Sequence, residues 1–358
     1  MREIQKRDER KKRQRNGMKR ISLYRRAEHF LTWNLLKGLM LAFKLLPHRS
    51  LLPLSRGMGA ATFFVLPRRR KIALDNLKLA LGKDTTERQR ELILRQSMVN
   101  VIYGAIEIVR LAAKEDATKR VPPGDNPVAP TSCRSINRLE AGSTSMPSYI
   151  LSPDRIDWNG LEHLEDAVKR GKGVILVGSH FGNFPLILVG LRQRGFLVHS
   201  IVRNPSNPKV ALFFDRLRDR LDLGYIHDKP KERCVRRALE CLRANEVLFL
   251  QIDLNVITGG VYVDFFGYQV PTFTGPVVFA QRTGATILPI FGIREGGDRH
   301  KVFLDAPVEL VETGDREADL QANTALLTKI LEGQIRRFPE EWWWLHRRWR
   351  KARKREEL

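Results

Sequence analysis

The residues with the most chemical promise sit in Gly173–Asn183, which reads G-V-I-L-V-G-S-H-F-G-N. A short, glycine-bounded apolar run suits a strand buried on both faces of a parallel sheet. It delivers Ser179 and His180 to the carboxyl end of that strand, where open α/β sheets hold their ligands. An imidazole titrating near neutrality can take a proton from a hydroxyl. Backbone N–H groups of Phe181–Asn183, at the start of a following helix, would suit a developing oxyanion. Transfer of an activated acyl group to an alcohol needs that pair of functions. The same position also suits a structural histidine, and Asn183 either fixes this loop or caps the helix.

Further polar residues lie downstream in Val202–Pro208, V-R-N-P-S-N-P. Arg203 follows a predicted strand and offers a planar fork for a phosphate, or a surface ion pair. Asn207 can brace the Arg203 loop through an Asx-turn. Arg218, ahead of Gly224, is a weaker phosphate candidate on what is otherwise a solvated helix face. Thr274-Gly275-Pro276 reads as a helix start or an anion site.

These side chains need a rigid frame, and the alternation of patterns from Gly160 onward supplies one. Strands are predicted at Val174–Ser179, Leu197–Val202, Val247–Ile252, Val261–Phe265, Thr286–Phe291 and Lys301–Leu304. Helices are predicted at Asn183–Arg194, Pro208–Leu221, Pro230–Ala244, Gly275–Thr283 and Arg316–Arg337. This is the pattern of an α/β fold with a largely parallel mixed sheet flanked by helices. There is neither a G-x-G-x-x-G after the first strand nor a Walker A sequence, so nucleotide binding lacks its usual marks.

Ahead of this domain the chain changes character. Residues 1–29 form a basic tail. Residues 30–111 form a helical, membrane-associated segment that contains two apolar stretches. The first, Phe30–Leu46, falls short of the ~20 residues of a usual span. Asn34, Lys37, Lys44 and His48 share one helical face, which favours an interfacial helix, though snorkelling lysines keep a tilted span open. The second, Leu51–Leu66, is followed by Arg68-Arg69-Arg70-Lys71, and Thr86 with Gln89 forms a capping box for a helix running to about Leu111. Residues 112–154, rich in proline, glycine and serine, read as a linker or partly disordered insertion. The α/β domain occupies 155–346, and 347–358 form a second basic tail.

The 358-residue chain carries a formal net charge of +23 and is 42% hydrophobic. It is therefore a folded protein with an anionic partner, and anionic membrane lipids fit. Zinc-finger spacing and glycine-aromatic RNA-binding signatures are missing, so no specific nucleic acid is expected. Three cysteines without a C-x-x-C pair give neither a disulfide framework nor a zinc site, and no metal is expected. The closing Trp342-Trp343-Trp344 and Trp349 suit core packing combined with a membrane interface.

Five segments in order carry a family resemblance. They are Leu66–Leu79 (L-P-R-R-R-K-I-A-L-D-N-L-K-L), Gly178–Asn183, Val202–Pro208, Phe249–Phe266 with Gly267 and Thr272–Gly284 (T-F-T-G-P-V-V-F-A-Q-R-T-G), and Pro339–Arg350 (P-E-E-W-W-W-L-H-R-R-W-R). Together they resemble the bacterial lysophospholipid acyltransferase superfamily, in the branch of the lauroyl and myristoyl acyltransferases of lipid A biosynthesis. The resemblance implies transfer of a fatty acyl chain from acyl carrier protein or acyl-CoA to a lipid hydroxyl, at the cytoplasmic face of the inner membrane. It implies no cofactor beyond that acyl donor. The family's motif is a histidine, four residues, then an acid. Carried over, the histidine is His180, but Pro185 stands at the acid position. Three readings follow. Another carboxylate substitutes, Asp253 at the end of a core strand first and Asp264 second; or His180 works without an acid; or the chain is a catalytically degenerate lipid-binding protein.

Overall fold

The computed structural model describes residues 25–43, 45–47, 50–115, 155–256 and 259–354. Four helices come first: α1 (25–43), α2 (Leu51–Val65), α3 (Pro67–Leu81) and α4 (Glu87–Glu115). The α/β part then runs β1 (Ile156–Asn159), α5 (Leu161–Lys169), β2 (Val174–Gly178), α6 (Phe184–Gln193), β3 (Val198–Val202), α7 (Pro208–Arg220), β4 (Gly224–His227), α8 (Lys231–Arg243) and β5 (Val247–Gln251). It continues with the hairpin β6 (Gly260–Phe265) and β7 (Tyr268–Phe273), α9 (Gly275–Thr283), β8 (Thr286–Gly296), β9 (Arg299–Leu304), α10 (Arg316–Arg337) and β10 (Arg353–Lys354).

Seven strands form one sheet in the order β1-β9-β8-β2-β5-β3-β4, with every pairing parallel except β8 with β9. β6 and β7 with β10 make a second, antiparallel sheet. The alternation in β2 explains its all-apolar sequence. Ile175 and Val177 join the core beneath α3, α8, α9 and α10, while Val174 and Leu176 join the core beneath α5, α6 and α7. A strand covered on both sides has no face left for polar residues.

All six predicted strands and all five predicted helices of this region are present, with ends shifted by a few residues. Four strands and one helix lie outside the predicted set. β4 and β1 are only four residues long, β7 contains Pro271, and β10 lies in the supposed basic tail. That tail needs correcting. Arg348 is fully buried, Trp349 is buried, and Arg353–Lys354 pairs with β7, so the fold extends past 346. Trp342 and Trp344 are also fully buried, which gives the aromatic ending a core role.

The capping box at α4 is present: the Thr86 N–H donates to Gln89 Oε1 at 2.7 Å and the Gln89 N–H to Thr86 Oγ1 at 3.3 Å. Among the described residues, Glu87–Leu111 is the one helix long and apolar enough to cross a bilayer, and half of that stretch is buried within the protein. The first apolar stretch is helical in α1, but Lys44 and His48 of its polar face lie outside the described residues, as do Cys133 and residues 116–154 of the insertion.

The N-terminal helices also fasten the end of the chain. Asn76 on α3 donates from Nδ2 to the carbonyls of Trp344 (2.9 Å) and His346 (2.7 Å). Ser97 on α4 donates to the Trp342 carbonyl at 2.6 Å and Asn100 to the Glu340 carbonyl at 3.2 Å. Asn76→Ala leaves two inward-facing carbonyls without their donor. It is expected to destabilise the protein by about 1–3 kcal/mol, read by urea denaturation.

Candidate functional site

β2 and β5 are neighbours in register, with Gly178 opposite Gln251, so the residues just beyond their carboxyl ends converge. Phe249 packs over the end of β2, where a Cβ on Gly178 would lie 2.7 Å from its ring. Beyond Gly178 the chain turns through His180 and Gly182 into α6. Gly182 adopts φ +55°, and a Cβ there would collide with the Gly292 carbonyl, so the turn requires glycine.

Asp253 lies two residues past β5 and is fully buried. Its Oδ1 is 3.0 Å from His180 Nδ1, and its Oδ2 accepts the His180 backbone N–H at 3.0 Å. The indole Nε1 of Trp342 donates to the same Oδ2 at 3.0 Å. Burial alone would push this carboxyl up. The charge and hydrogen bond of the His180 ring, with the His346 ring nearby, outweigh that and hold it well below the usual carboxylate range. An ionised Asp253 only accepts, so the His180 proton belongs on Nδ1 and Nε2 is left as the basic atom. Burial pulls the imidazole pKa down, but the Asp253 charge and hydrogen bond outweigh it, and the net direction is up. The ring keeps 28% of its side chain exposed, against none for Asp253. An exposed base backed by a sealed acid is the arrangement of a general base.

The other sequence candidates have different surroundings. Asp264 accepts the Gly267 N–H in the β6–β7 turn and makes no contact with His180. Asn183 is buried. Its Oδ1 caps α6 by accepting the Leu186 N–H at 3.4 Å, and its Nδ2 donates to Glu107 at 2.9 Å. Asn207 is also buried; it caps α7 and donates to the His29 carbonyl, tying α1 to the α/β part. Arg203 sits at the carboxyl end of β3, 77% exposed, with Asp228 at 2.8 Å. Arg218 pairs with Asp215 at 3.0 Å and lies over the Tyr225 ring of β4, the sheet's edge strand. The structure therefore unites His180 with Asp253 and leaves Arg203 open on the same edge of the sheet. Arg218 is held by Asp215 and the Tyr225 ring. The Gly182 N–H expected to face an oxyanion instead donates to the Glu341 carbonyl at 2.8 Å.

Two buried acids behind the loop escaped the sequence reading. Glu107 on α4 meets Arg294 through two bonds (3.0 and 2.6 Å), with His300 at 3.6 Å and Asn183 completing the cluster. Burial pushes the Glu107 carboxyl up, but these partners bring it down to about 2. Glu341 accepts the Arg294 backbone N–H at 3.2 Å, and burial pushes it up to about 7. The apolar periodicity of α4 concealed Glu107, and the tryptophan run concealed Glu341.

Comparison with known proteins agrees with this architecture. The sequence model of a family described as bacterial lipid A biosynthesis acyltransferase matches residues 18–351. The lipid A biosynthesis lauroyltransferase of Escherichia coli (strain K12) is 25% identical over 331 residues, covering 90% of this chain and 92% of that protein. The phosphatidylinositol mannoside acyltransferase of Mycobacterium tuberculosis (strain CDC 1551 / Oshkosh) is 30% identical over 191 residues, 53% of this chain and 58% of its own length. The lipid A biosynthesis palmitoleoyltransferase of E. coli (strain K12) is 26% identical over 199 residues, 54% of this chain and 61% of its own.

Glu107→Ala strands Arg294 without its carboxylate and is expected to cost about 3–5 kcal/mol in chemical denaturation. The wild-type contribution of Glu107 is full above the unfolded carboxyl value of ~4.3 and is lost as pH falls toward 2. Glu341 has the opposite sign. The folded state holds its proton up to about pH 7, so stability falls as pH rises from ~4.3 through that value. Glu341→Gln is expected to stabilise the protein at pH 8 by on the order of 2 kcal/mol and to leave it unchanged at pH 4.

Proposed function

The chain belongs to the bacterial lipid A biosynthesis acyltransferase family, and from that premise we propose that it moves a fatty acyl chain from a thioester donor, acyl carrier protein or acyl-CoA, to a hydroxyl of a lipid acceptor. The observation that carries this reading is the His180–Asp253 pair at the mouth of adjacent parallel strands. His180 Nε2 takes the acceptor's hydroxyl proton as its oxygen attacks the thioester carbonyl. Asp253 stays ionised, fixes the tautomer and stabilises the imidazolium. As the tetrahedral intermediate collapses, the C–S bond breaks and the imidazolium returns its proton to the leaving thiolate. Arg203, exposed on the same edge, suits a phosphate of donor or acceptor.

Asp253 supplies from the neighbouring strand the carboxylate missing at Pro185. Pro185 itself occupies the first turn of α6, where proline is at home. This favours an active enzyme over a degenerate lipid-binding protein. A bilayer surface is the proposed setting. Phe30, Leu31, Leu35 and Leu41 on α1 are each more than half exposed, as are Phe64 and Val65 at the end of α2. The latter pair adjoins the basic Arg68–Lys71 turn, a combination suited to anionic lipid at the inner membrane's cytoplasmic face.

The test is transfer of radiolabelled acyl groups from both donor types to a panel of lipid acceptors. His180→Ala is expected to abolish transfer in a folded protein, and Asp253→Asn to lower kcat by about 10³–10⁴. Because the base must be unprotonated and its pKa is raised, wild-type kcat/KM is expected to rise with an apparent pKa above the ordinary ~6.5. Wild-type protein that transfers nothing to any acceptor overturns the reading in favour of lipid binding alone.

A further inference from the structure

Asp253 is held by more than the histidine it serves. Three side chains of one seven-residue stretch, Trp342–Arg348, close on it from the far side. Trp342, itself fully buried, donates its indole N–H to Oδ2. His346 Nε2 faces the same oxygen at 3.8 Å, with its ring edge-on to Trp342 at 4.9 Å. Arg348, fully buried, donates to the carbonyl of Leu254, the residue after Asp253, at 3.1 Å. The same guanidinium also reaches the Pro271 carbonyl (2.8 Å) and Thr272 Oγ1 (2.6 Å), so it ties the Asp253 loop to β7. Both ring nitrogens of His346 are buried without a hydrogen-bond partner. A buried imidazole in that condition is costly unless the adjacent carboxylate is its purpose.

The chemistry gives such a clamp a role. A buried carboxylate with only one imidazole to face would hold the imidazolium too firmly and leave the base protonated at working pH. Every further donor on the carboxylate spreads its charge and weakens that pull. The charged and titratable groups facing Asp253 are His180 from the end of β2 and His346 and Arg348 from the closing segment. Phe184 of α6 flanks the His180 ring and carries no charge.

We propose, on the reading that His180 is the general base, that Trp342 and His346 are positioning residues that act through Asp253: they hold its carboxylate on His180 Nδ1 and moderate its charge, so that Nε2 remains free to accept a proton near neutral pH. Neither touches the reacting atoms.

The test uses the full chain and the variants Trp342→Phe and His346→Leu, with His346→Gln as the variant that keeps an N–H. The readouts are the NMR titration of the His180 ring, assigned by its loss in His180→Gln, and the pH dependence of kcat/KM. In Trp342→Phe and His346→Leu, the His180 titration and the acid limb of the profile are expected to move together to higher pH by about half a unit or more, while His346→Gln stays nearer wild type. Unchanged titration and an unmoved acid limb in both variants, with only thermal stability lowered, overturns the proposal, as does a shift to lower pH. Should Trp342→Phe fail to fold, the two His346 variants decide the matter. The titration also separates this proposal from the catalytic reading. A wild type without transfer activity sinks the latter, while the ring's response to His346→Leu still decides the clamp.

Discussion

A carboxylate with no exposed surface must be met by donors or give up its charge. Asp253 is that carboxylate, and much of the chain is arranged around keeping it ionised. The sheet contributes His180, by ring and by backbone N–H. The C-terminal segment contributes Trp342 and His346, and Arg348 steadies the adjoining backbone. The N-terminal helices contribute nothing to the carboxylate directly. Through Asn76, Ser97 and Asn100 they hold the carbonyls of the segment that does. The first and last parts of the chain are thus coupled to the pair between them.

The His180 loop is held from both sides in a similar way. Trp343 donates its N–H to the His180 carbonyl, and Gly182 donates to the Glu341 carbonyl, so the closing segment runs against the loop like a short antiparallel strand. Behind the loop, Asn183 rests on Glu107, which Arg294 meets with two bonds and His300 adjoins. Such a buried ionic cluster adds little net stability compared with an apolar filling. Its geometric effect is clear, because it joins α4, β8 and β9 at the start of α6. A base that must meet a lipid hydroxyl benefits from a loop with few alternative positions.

Much of the fold was legible because its signals are local. The apolar run of β2, the Thr86–Gln89 capping box and the proline-initiated α6, α7 and α9 each announce themselves within a few residues. The misses were equally physical. β1 and β4 are too short to show periodicity, and α5, nine residues long, carries its amphipathic pattern over little more than two turns. β7 carries Pro271, which lies past Tyr268 and Gln269, the two residues that pair with β10, so at this position the strand has, among the described residues, only β6 beside it and is locally an edge. The run from Arg347 to Arg355 looks like a solvated tail by composition, yet Arg348 is sealed inside because three oxygens await its guanidinium.

By itself the sequence determined the α/β class and a histidine at the end of a buried strand, while the family resemblance implied an acid at the position of Pro185 and so made Asp253 the first candidate to replace it. The class and the place of the histidine follow from hydrophobic periodicity and from the rule that parallel strands present their carboxyl ends together. Only the tertiary structure decided that Asp253 rather than Asp264 meets the ring, that Asn183 and Asn207 cap helices, that Arg218 is held by Asp215 and Tyr225, and that Trp342, His346, Glu107 and Glu341 surround the site. Their contacts with it join residues some 75 to 90 positions apart for Asn183 with Glu107 and for Trp342 with Asp253. Such contacts are set by how helices and the closing segment pack on the sheet, a property that no local pattern of side chains encodes.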